Sequence, residues 1–338
     1  MHQDQRTAES ESSEGSARNR ASPEASALAN EVRAGLARTP KRLPPWLFYD
    51  AEGSRLFEQI TALPEYYLTR TEAGILERYA GELVDTALAL AGPGAAVVEL
   101  GAGSSVKTEL LLSALVAREG RALYLPIDVS LAALEAAAAR LSQDLPAVTV
   151  RPLLGRYGPA LAKARAAAPA LWALFLGSSI GNSDDAEAVA LLAELRAGLP
   201  RGSPLLLGAD RKKPLSLLLP AYDDAQGVTA AFNRNLLVRL NRDLDADFVP
   251  ARFRHVAVWN EQAGAVEMHL ESRQHQRIWL RGLGLEVTFE AGERLHTESS
   301  NKYDDARLDR IFAAAGWSRV RDWLDSKGWF GLHLLRSL

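Results

Sequence analysis

The chain carries one stretch that narrows its fold more than any other, Val97-Val98-Glu99-Leu100-Gly101-Ala102-Gly103-Ser104-Ser105. A buried parallel strand that stops at Gly-x-Gly turns sharply, brings its backbone close to a ligand and leaves the amides of the next helix free nearby. A second apolar run, Leu123-Tyr124-Leu125-Pro126-Ile127, ends on Asp128. In a doubly wound sheet both acids lie at the carboxyl edge, where Asp128 can accept hydrogen bonds from a ribose diol. The pattern predicts an open α/β sheet with a nucleotide-type pocket.

Two cofactor classes compete for such a pocket. A dinucleotide site wants G-x-G-x-x-G, but Val106 stands where the third glycine belongs. The Glu-x-Gly-x-Gly form is instead the pattern of S-adenosylmethionine (SAM) methyltransferases. On its own the glycine pair also fits a plain strand-to-helix turn, and the spacing to Asp128 is what favours a cofactor.

From Ala95 onward apolar runs alternate with alanine-rich segments. Strands are predicted at 96–100, 122–127, 147–153, 171–176 and 204–209, with helices near 105–117, 130–142 and 185–198. After Asp210 the rhythm changes: 215–245 reads as helical, and 253–259, 266–272, 276–280 and 285–290 read as antiparallel strands, with 260–264 a hairpin loop. Two last strands, 318–323 and 328–335, flank Asp325-Ser326-Lys327-Gly328 and are expected to return to the first sheet. The fold class that follows is α/β, a Rossmann-like class I methyltransferase sheet with a second, inserted α+β substrate domain. The expected division is a disordered tail over 1–26, a segment 27–72 that contributes to the substrate domain, a SAM-binding domain over 73–210, the inserted domain over 211–302, and a return to the first domain over 303–338.

Composition excludes several alternatives. With no cysteine, the chain has no disulfide framework, thiolate nucleophile or cysteine metal site, and its six histidines show no paired ligand spacing, so no metal is expected. A net charge of -3 argues against a broad positive field for holding nucleic acid. The start lacks the apolar core of a signal peptide and no run approaches the ~20 apolar residues of a membrane span. A cytoplasmic monomer acting on a small molecule, with no nucleic-acid or membrane partner, is the expectation.

Several longer segments carry a more specific signal. They are Phe48-Tyr49-Asp50, Leu63-Pro64-Glu65-Tyr66-Tyr67-Leu68-Thr69-Arg70-Thr71-Glu72, Phe175-Leu176-Gly177-Ser178-Ser179-Ile180-Gly181-Asn182, Ala221-Tyr222-Asp223-Asp224, the run from Val228 to Asn235, and Thr297-Glu298-Ser299-Ser300. In this order, from about Val32 to the C-terminus, the chain resembles the SAM-dependent L-histidine Nα-methyltransferases, which make trimethylhistidine (hercynine) on the route to ergothioneine. The resemblance implies SAM as cofactor, held by Glu99, Gly101, Gly103, Lys107, Asp128 and Tyr157. It implies L-histidine as substrate, with Gly177, Asn182 and Tyr222 at the carboxylate end, an amide N–H and a phenol O–H being able to donate to an anion without a buried cation. Glu298, Ser300 and Tyr66 match the contacts to the imidazole, and Met268 a residue lining the ring. Tyr49, the candidate catalytic residue, and Phe57 match aromatics near the amine, where ring faces can hold a methylated cation without hydrogen bonds.

Taken singly, these residues have plainer readings: Asn182 as a turn residue, Tyr222 as a half-buried helix tyrosine, Met268 as core filler, Glu298 as a solvated strand-end acid. One position departs from the family. Where an acid followed by an aromatic is usual, and could accept from the adenine amine, this chain has Gly155-Arg156-Tyr157, and arginine cannot accept a hydrogen bond. Adenine recognition then falls to backbone amides and to Tyr157 packing on the base. Rival readings are a methyltransferase of the same fold acting on another amino acid or amine, and a SAM-binding regulatory protein without turnover.

Overall fold

The computed structural model describes residues 23–338. In chain order the elements are α1 (Pro23–Leu36), α2 (Ala51–Thr61), α3 (Tyr67–Ala91), β1 (Ala96–Leu100), α4 (Thr108–Glu119), β2 (Ala122–Asp128), α5 (Leu131–Asp144), β3 (Val148–Val150), β4 (Leu153–Leu154), α6 (Tyr157–Ala167), β5 (Leu171–Phe175), α7 (Asp185–Gly198) and β6 (Pro204–Asp210). They continue as α8 (Leu215–Leu218), α9 (Val228–Leu244), β7 (Phe253–Asn260), β8 (Ala265–Ser272), β9 (Gln276–Leu280), β10 (Leu285–Phe289), β11 (Arg294–Asn301), α10 (Asp305–Ala314), β12 (Trp317–Leu324) and β13 (Phe330–Ser337). Of the tail expected over 1–26, residues 1–22 lie outside the described residues. Residues 23–26 belong to α1, whose leading proline suits a helix start because its missing N–H would be unpaired there anyway.

The main sheet runs β12-β13-β6-β5-β1-β2-β3, with β4 extending the pairing of β2. β1 lies parallel between β2 and β5, so the strand order reverses beside it and opens a crevice at the carboxyl ends. β13 runs antiparallel to β6 and to β12. Val97, Val98, Leu125, Leu174 and Leu206 are fully buried, as strands covered by helices on both faces require.

Beyond β6 a three-stranded sheet, β11-β8-β7, and a two-stranded sheet, β10-β9, form a separate body. Its core is continuous with the N-terminal segment: Val32, Leu43, Phe48, Tyr66 and Leu68 pack in one cluster with Phe232, Leu236, Met268 and Leu295. Backbone bonds from Leu43 N–H to His296 O (2.9 Å) and from His296 N–H to Lys41 O (2.9 Å) fasten the segment to β11.

Several expected elements are corrected by the structure. The strand read over 147–153 is two pieces, because Pro152 has no N–H to continue the ladder. The helix read from 105 starts at Thr108, since Gly101, Gly103 and Ser105 take left-handed backbone first. The helical stretch read over 215–245 is broken between α8 and α9, where Pro220 intervenes and Asp224 caps α9 by accepting from the Val228 and Thr229 N–H groups at 3.0 and 2.7 Å. The last turn is longer than expected, with β13 beginning at Phe330 and Asp325 Oδ1 accepting from both Trp329 and Phe330 N–H. The boundary drawn between residues 72 and 73 falls inside α3.

Candidate active site

The cofactor half of the site grows from the end of β1. Gly101 and Gly103 have φ of 66° and 51°, which favours glycine, and Ser105 shares the left-handed region at 55°. Gly103 N–H donates to Asp128 Oδ2 at 2.9 Å, and Ser130 N–H donates to Asp128 Oδ1 at 2.9 Å. Each carboxylate oxygen keeps a lone pair for a ligand. A Cβ on Gly103 would meet nothing within 4 Å, and one on Gly101 only the Tyr157 hydroxyl at 3.2 Å, so the turn faces open space with an aromatic beside it. A glycine cradle, an aimed carboxylate and an adjacent ring fit the ribose and adenine parts of SAM.

Glu99, expected at the cofactor, lies behind the loop. Only 4% exposed, it accepts from Thr108 Oγ1 at 2.7 and 2.8 Å and from the Tyr124 hydroxyl, which also bonds Ser105 Oγ at 2.8 Å. Burial pushes its carboxyl up to about 7. Its place is to brace the strained Ser105 turn from below.

Lys107 pairs with Glu72, a fully buried acid on α3 that also accepts from Gly177 N–H at 2.9 and 3.1 Å. This acid ties the loop after β5 to the loop after β1, and sequence reasoning gave it no role. Gly177 itself has φ 74°, and Ser178 follows at 59°. The following 3-10 turn, Ser179–Asn182, is gripped by Asn301, whose amide donates to Gly181 O (2.9 Å) and Ser183 O (2.8 Å). Half-buried Asn182 therefore stands on a turn clamped to the end of β11.

The other half of the candidate site, where the expected substrate residues lie, is built from the N-terminal segment and the β11-β8-β7 sheet. Asp50 caps α2 through Gly53 N–H at 2.8 Å and accepts from Asn235 Nδ2 at 2.8 Å, which fixes the preceding Tyr49. Gly53 is required here, because a Cβ would sit 1.7 Å from Phe48 O. Tyr49, Phe57 and Phe232 form an aromatic wall with ring centroids 5.7 to 6.0 Å apart, and Tyr66 joins Phe57 at 6.2 Å and Tyr222 at 6.4 Å. Arg70 holds the turn before α3 by donating to Leu63, Pro64 and Tyr66 carbonyls, which sets Tyr66 at the helix start.

Met268 and Glu298 are direct cross-strand partners on β8 and β11, and the bulge between His296 and Glu298 sets that register. Met268 is buried and Glu298 half-buried. Two residues on, Ser300 Oγ lies 2.6 Å from Tyr222 Oη. Burial pushes the Glu298 carboxyl up to about 7, against the pull of Lys302. Burial also holds the Tyr49 phenol well above its ordinary range, with Glu298, Tyr66 and Asp128 adding to the rise.

Arg156, the departure at the adenine position, donates to Glu31 Oε1 on α1 at 2.8 Å and lies over the Trp46 ring. Trp46 Nε1 donates to the other oxygen of Glu31 at 2.6 Å. The arginine therefore bridges the two bodies. Tyr157 packs edge-on to Phe175 with centroids 5.9 Å apart. Phe232, Glu72, Asp210 and Lys302 complete the site without having been assigned a role from the sequence, though the first two lie within motifs that stood out there. A surface groove of about 660 Å³ lined by Arg70, Arg78, Lys327 and Trp329 includes none of the expected site residues. No helix among the described residues is long and apolar enough to cross a membrane, and no metal-holding cluster occurs among them.

A reversed-order parallel sheet with a glycine turn and an aimed acid at its carboxyl edge defines a SAM-type methyltransferase architecture. Residues 28–337 match the family model described as histidine-specific methyltransferase, SAM-dependent, and the chain belongs to that family. It is an enzyme that uses SAM. A histidine N-alpha-methyltransferase of Mycolicibacterium smegmatis is 44% identical over 310 residues, covering 92% of this chain and 95% of that one. The protein of the same name from Mycobacterium tuberculosis is 42% identical over 308 residues, covering 91% and 94%. Ergothioneine biosynthesis protein 1 of Neurospora crassa is 31% identical over 306 residues, covering 88% of this chain but 33% of that longer protein.

Proposed function

We propose that this enzyme transfers three methyl groups in succession from SAM to the α-amine of free L-histidine, giving hercynine, the first step toward ergothioneine. The observation that carries the reading is the pairing of Glu298 with Met268 across β11 and β8, two residues from the Ser300–Tyr222 contact. A carboxyl and a hydroxyl on one strand face can meet the polar edge of an imidazole while a thioether covers its flat side. A larger apolar ring would leave the Glu298 carboxyl without a partner, which opposes it.

Bound SAM supplies a sulfonium-activated methyl group and leaves as its homocysteine thioether. The chain's own work is alignment. Asp128 with the Gly101 and Gly103 turn holds the donor end, while Asn182 and Tyr222 hold the substrate carboxylate. Tyr49, kept as a neutral phenol, accepts an amine N–H on its oxygen in the first two transfers and directs the nitrogen lone pair toward the methyl; the dimethylamine of the third has no N–H and is held by the ring faces alone. The amine sheds one proton to solvent before each transfer, so no dedicated strong base is required. Tyr49, Phe57 and Phe232 present ring faces to the cation as it grows.

Assaying methyl transfer across the twenty amino acids tests the reading. Histidine is expected to stand alone. Equal or faster transfer to a different amino acid would refute the assignment while leaving the methyltransferase class intact.

A further inference from the structure

Lys302 is fully buried, an unusual place for a lysine. Its ammonium has three donors, and all three are used inside the protein: Asp210 Oδ2 at 2.8 Å, Tyr222 Oη at 2.7 Å and Ser300 Oγ at 2.7 Å. Tyr222 and Ser300 also bond each other at 2.6 Å. Both oxygens already accept from the ammonium. The two hydroxyls bring two hydrogens, of which one closes their mutual bond and the other is left for a ligand.

Asp210, fully buried at the end of β6, also accepts from Tyr67 Oη at 2.6 Å and pairs with Lys213. Lys213 Nζ donates further to Tyr67 Oη at 2.8 Å and to Arg211 O at 2.7 Å, and its side chain is 1% exposed. Two ammonium groups therefore share the Asp210 carboxylate in a sealed cluster, Lys302 also feels the Glu298 carboxyl, and the Lys302 ammonium stands directly behind Tyr222. An anion that accepts from the Tyr222 hydroxyl lies one hydroxyl away from this ammonium and gains from its charge. The buried cation that the sequence reading did without stands one hydroxyl behind Tyr222.

We infer that Lys302 is a positioning and specificity-determining residue, which polarises Tyr222 from behind, directly and through Ser300, and makes the site demand a carboxylate on the amine it accepts. It rests on the amino-acid reading proposed above. It assigns to the charged cluster a selection between an amino acid and the corresponding decarboxylated amine.

Calorimetry on the full chain, saturated with S-adenosylhomocysteine and titrated with histidine, histamine and histidine methyl ester, tests it. Wild type is expected to prefer histidine by about 100-fold or more, and Lys302→Met to shrink that preference by roughly tenfold or more. The loss should fall on histidine alone, with S-adenosylhomocysteine affinity held within about twofold, a pattern that general loosening of the fold would not give. A folded Lys302→Met protein that keeps the wild-type preference overturns the inference. Should that variant fail to fold, Lys302→Gln keeps a donor to Tyr222 without the charge and carries the same expectation. Wild type that binds histamine or the methyl ester as tightly as histidine overturns it whatever the variants do. If histidine is not the substrate, the same ratio measured on the preferred amino acid and its decarboxylated amine separates that failure from this one.

Discussion

The Gly103 N–H donates to Asp128 Oδ2 at 2.9 Å, which joins the turn after β1 to the end of β2. The carboxylate is thus aimed before any ligand arrives, and its second oxygen is held by Ser130. Asp128→Ala is expected to weaken SAM binding roughly 10- to 100-fold, the scale of hydrogen bonds to a charged group, while histidine affinity changes far less. Calorimetry with each ligand checks this. Equal losses for both would point to collapse of the site.

Glu298 gives a pH signature. Its carboxyl is pushed up to about 7 by burial, so in the free enzyme it loses its proton near neutrality. A plot of log KM for histidine against pH is expected to bend near that value in wild type. Glu298→Gln should remove that bend and raise KM at least tenfold, about 1.4 kcal/mol, with little change in SAM affinity. A bend that survives in the variant would belong to the substrate's own imidazole.

Acid should weaken the fold through the histidines of the second sheet. Burial holds His296 at about 4, with the neighbouring His269 and Arg42 adding to the effect, and holds His255 and His269 below their ordinary value. A depressed histidine contributes stability above its unfolded value of about 6.5 and loses it as pH falls toward the folded value. For His296 alone the loss is about 3 kcal/mol between those limits. Urea midpoints measured from pH 7 to pH 4 should fall steadily, and less steeply in His296→Gln.

The Glu72 bridge predicts a loss of stability together with weakened cofactor binding. Removing its charge with Glu72→Gln leaves Lys107 facing a neutral amide and weakens the grip on Gly177, at an expected cost of about 3 kcal/mol in unfolding free energy. SAM affinity should fall in the same variant, because both loops that Glu72 joins border the cofactor in the proposed scheme. Chemical denaturation and calorimetry on the same preparation check the pair of effects.

What the sequence made legible was local. The β1 turn, Asp128 and the strands β1, β2, β5 and β6 follow from runs and glycines within a few residues of each other and form where expected, whereas β3 and β4 split one expected strand and α6 was not read at all. α3 escaped notice because its aromatic and threonine-rich first turns obscure the helical period. β11 reads only as extended, since His296, Thr297, Glu298, Ser299 and Ser300 show no apolar alternation, and its pairing with β8 is a tertiary fact. Arg156 looked like a damaged adenine contact, and only the fold brings Glu31 and Trp46, more than a hundred residues away, to meet it. Lys302 was invisible for a general reason: nothing in a sequence marks a lysine as buried until three separate segments close around it.

The most direct test of the account is mass spectrometry of L-histidine incubated with the enzyme and excess SAM. The account predicts a product carrying three added methyl groups, all on the α-nitrogen, with one S-adenosylhomocysteine formed per methyl. Unmodified histidine recovered from enzyme shown to bind SAM, or methylation of the ring instead of the amine, would contradict it.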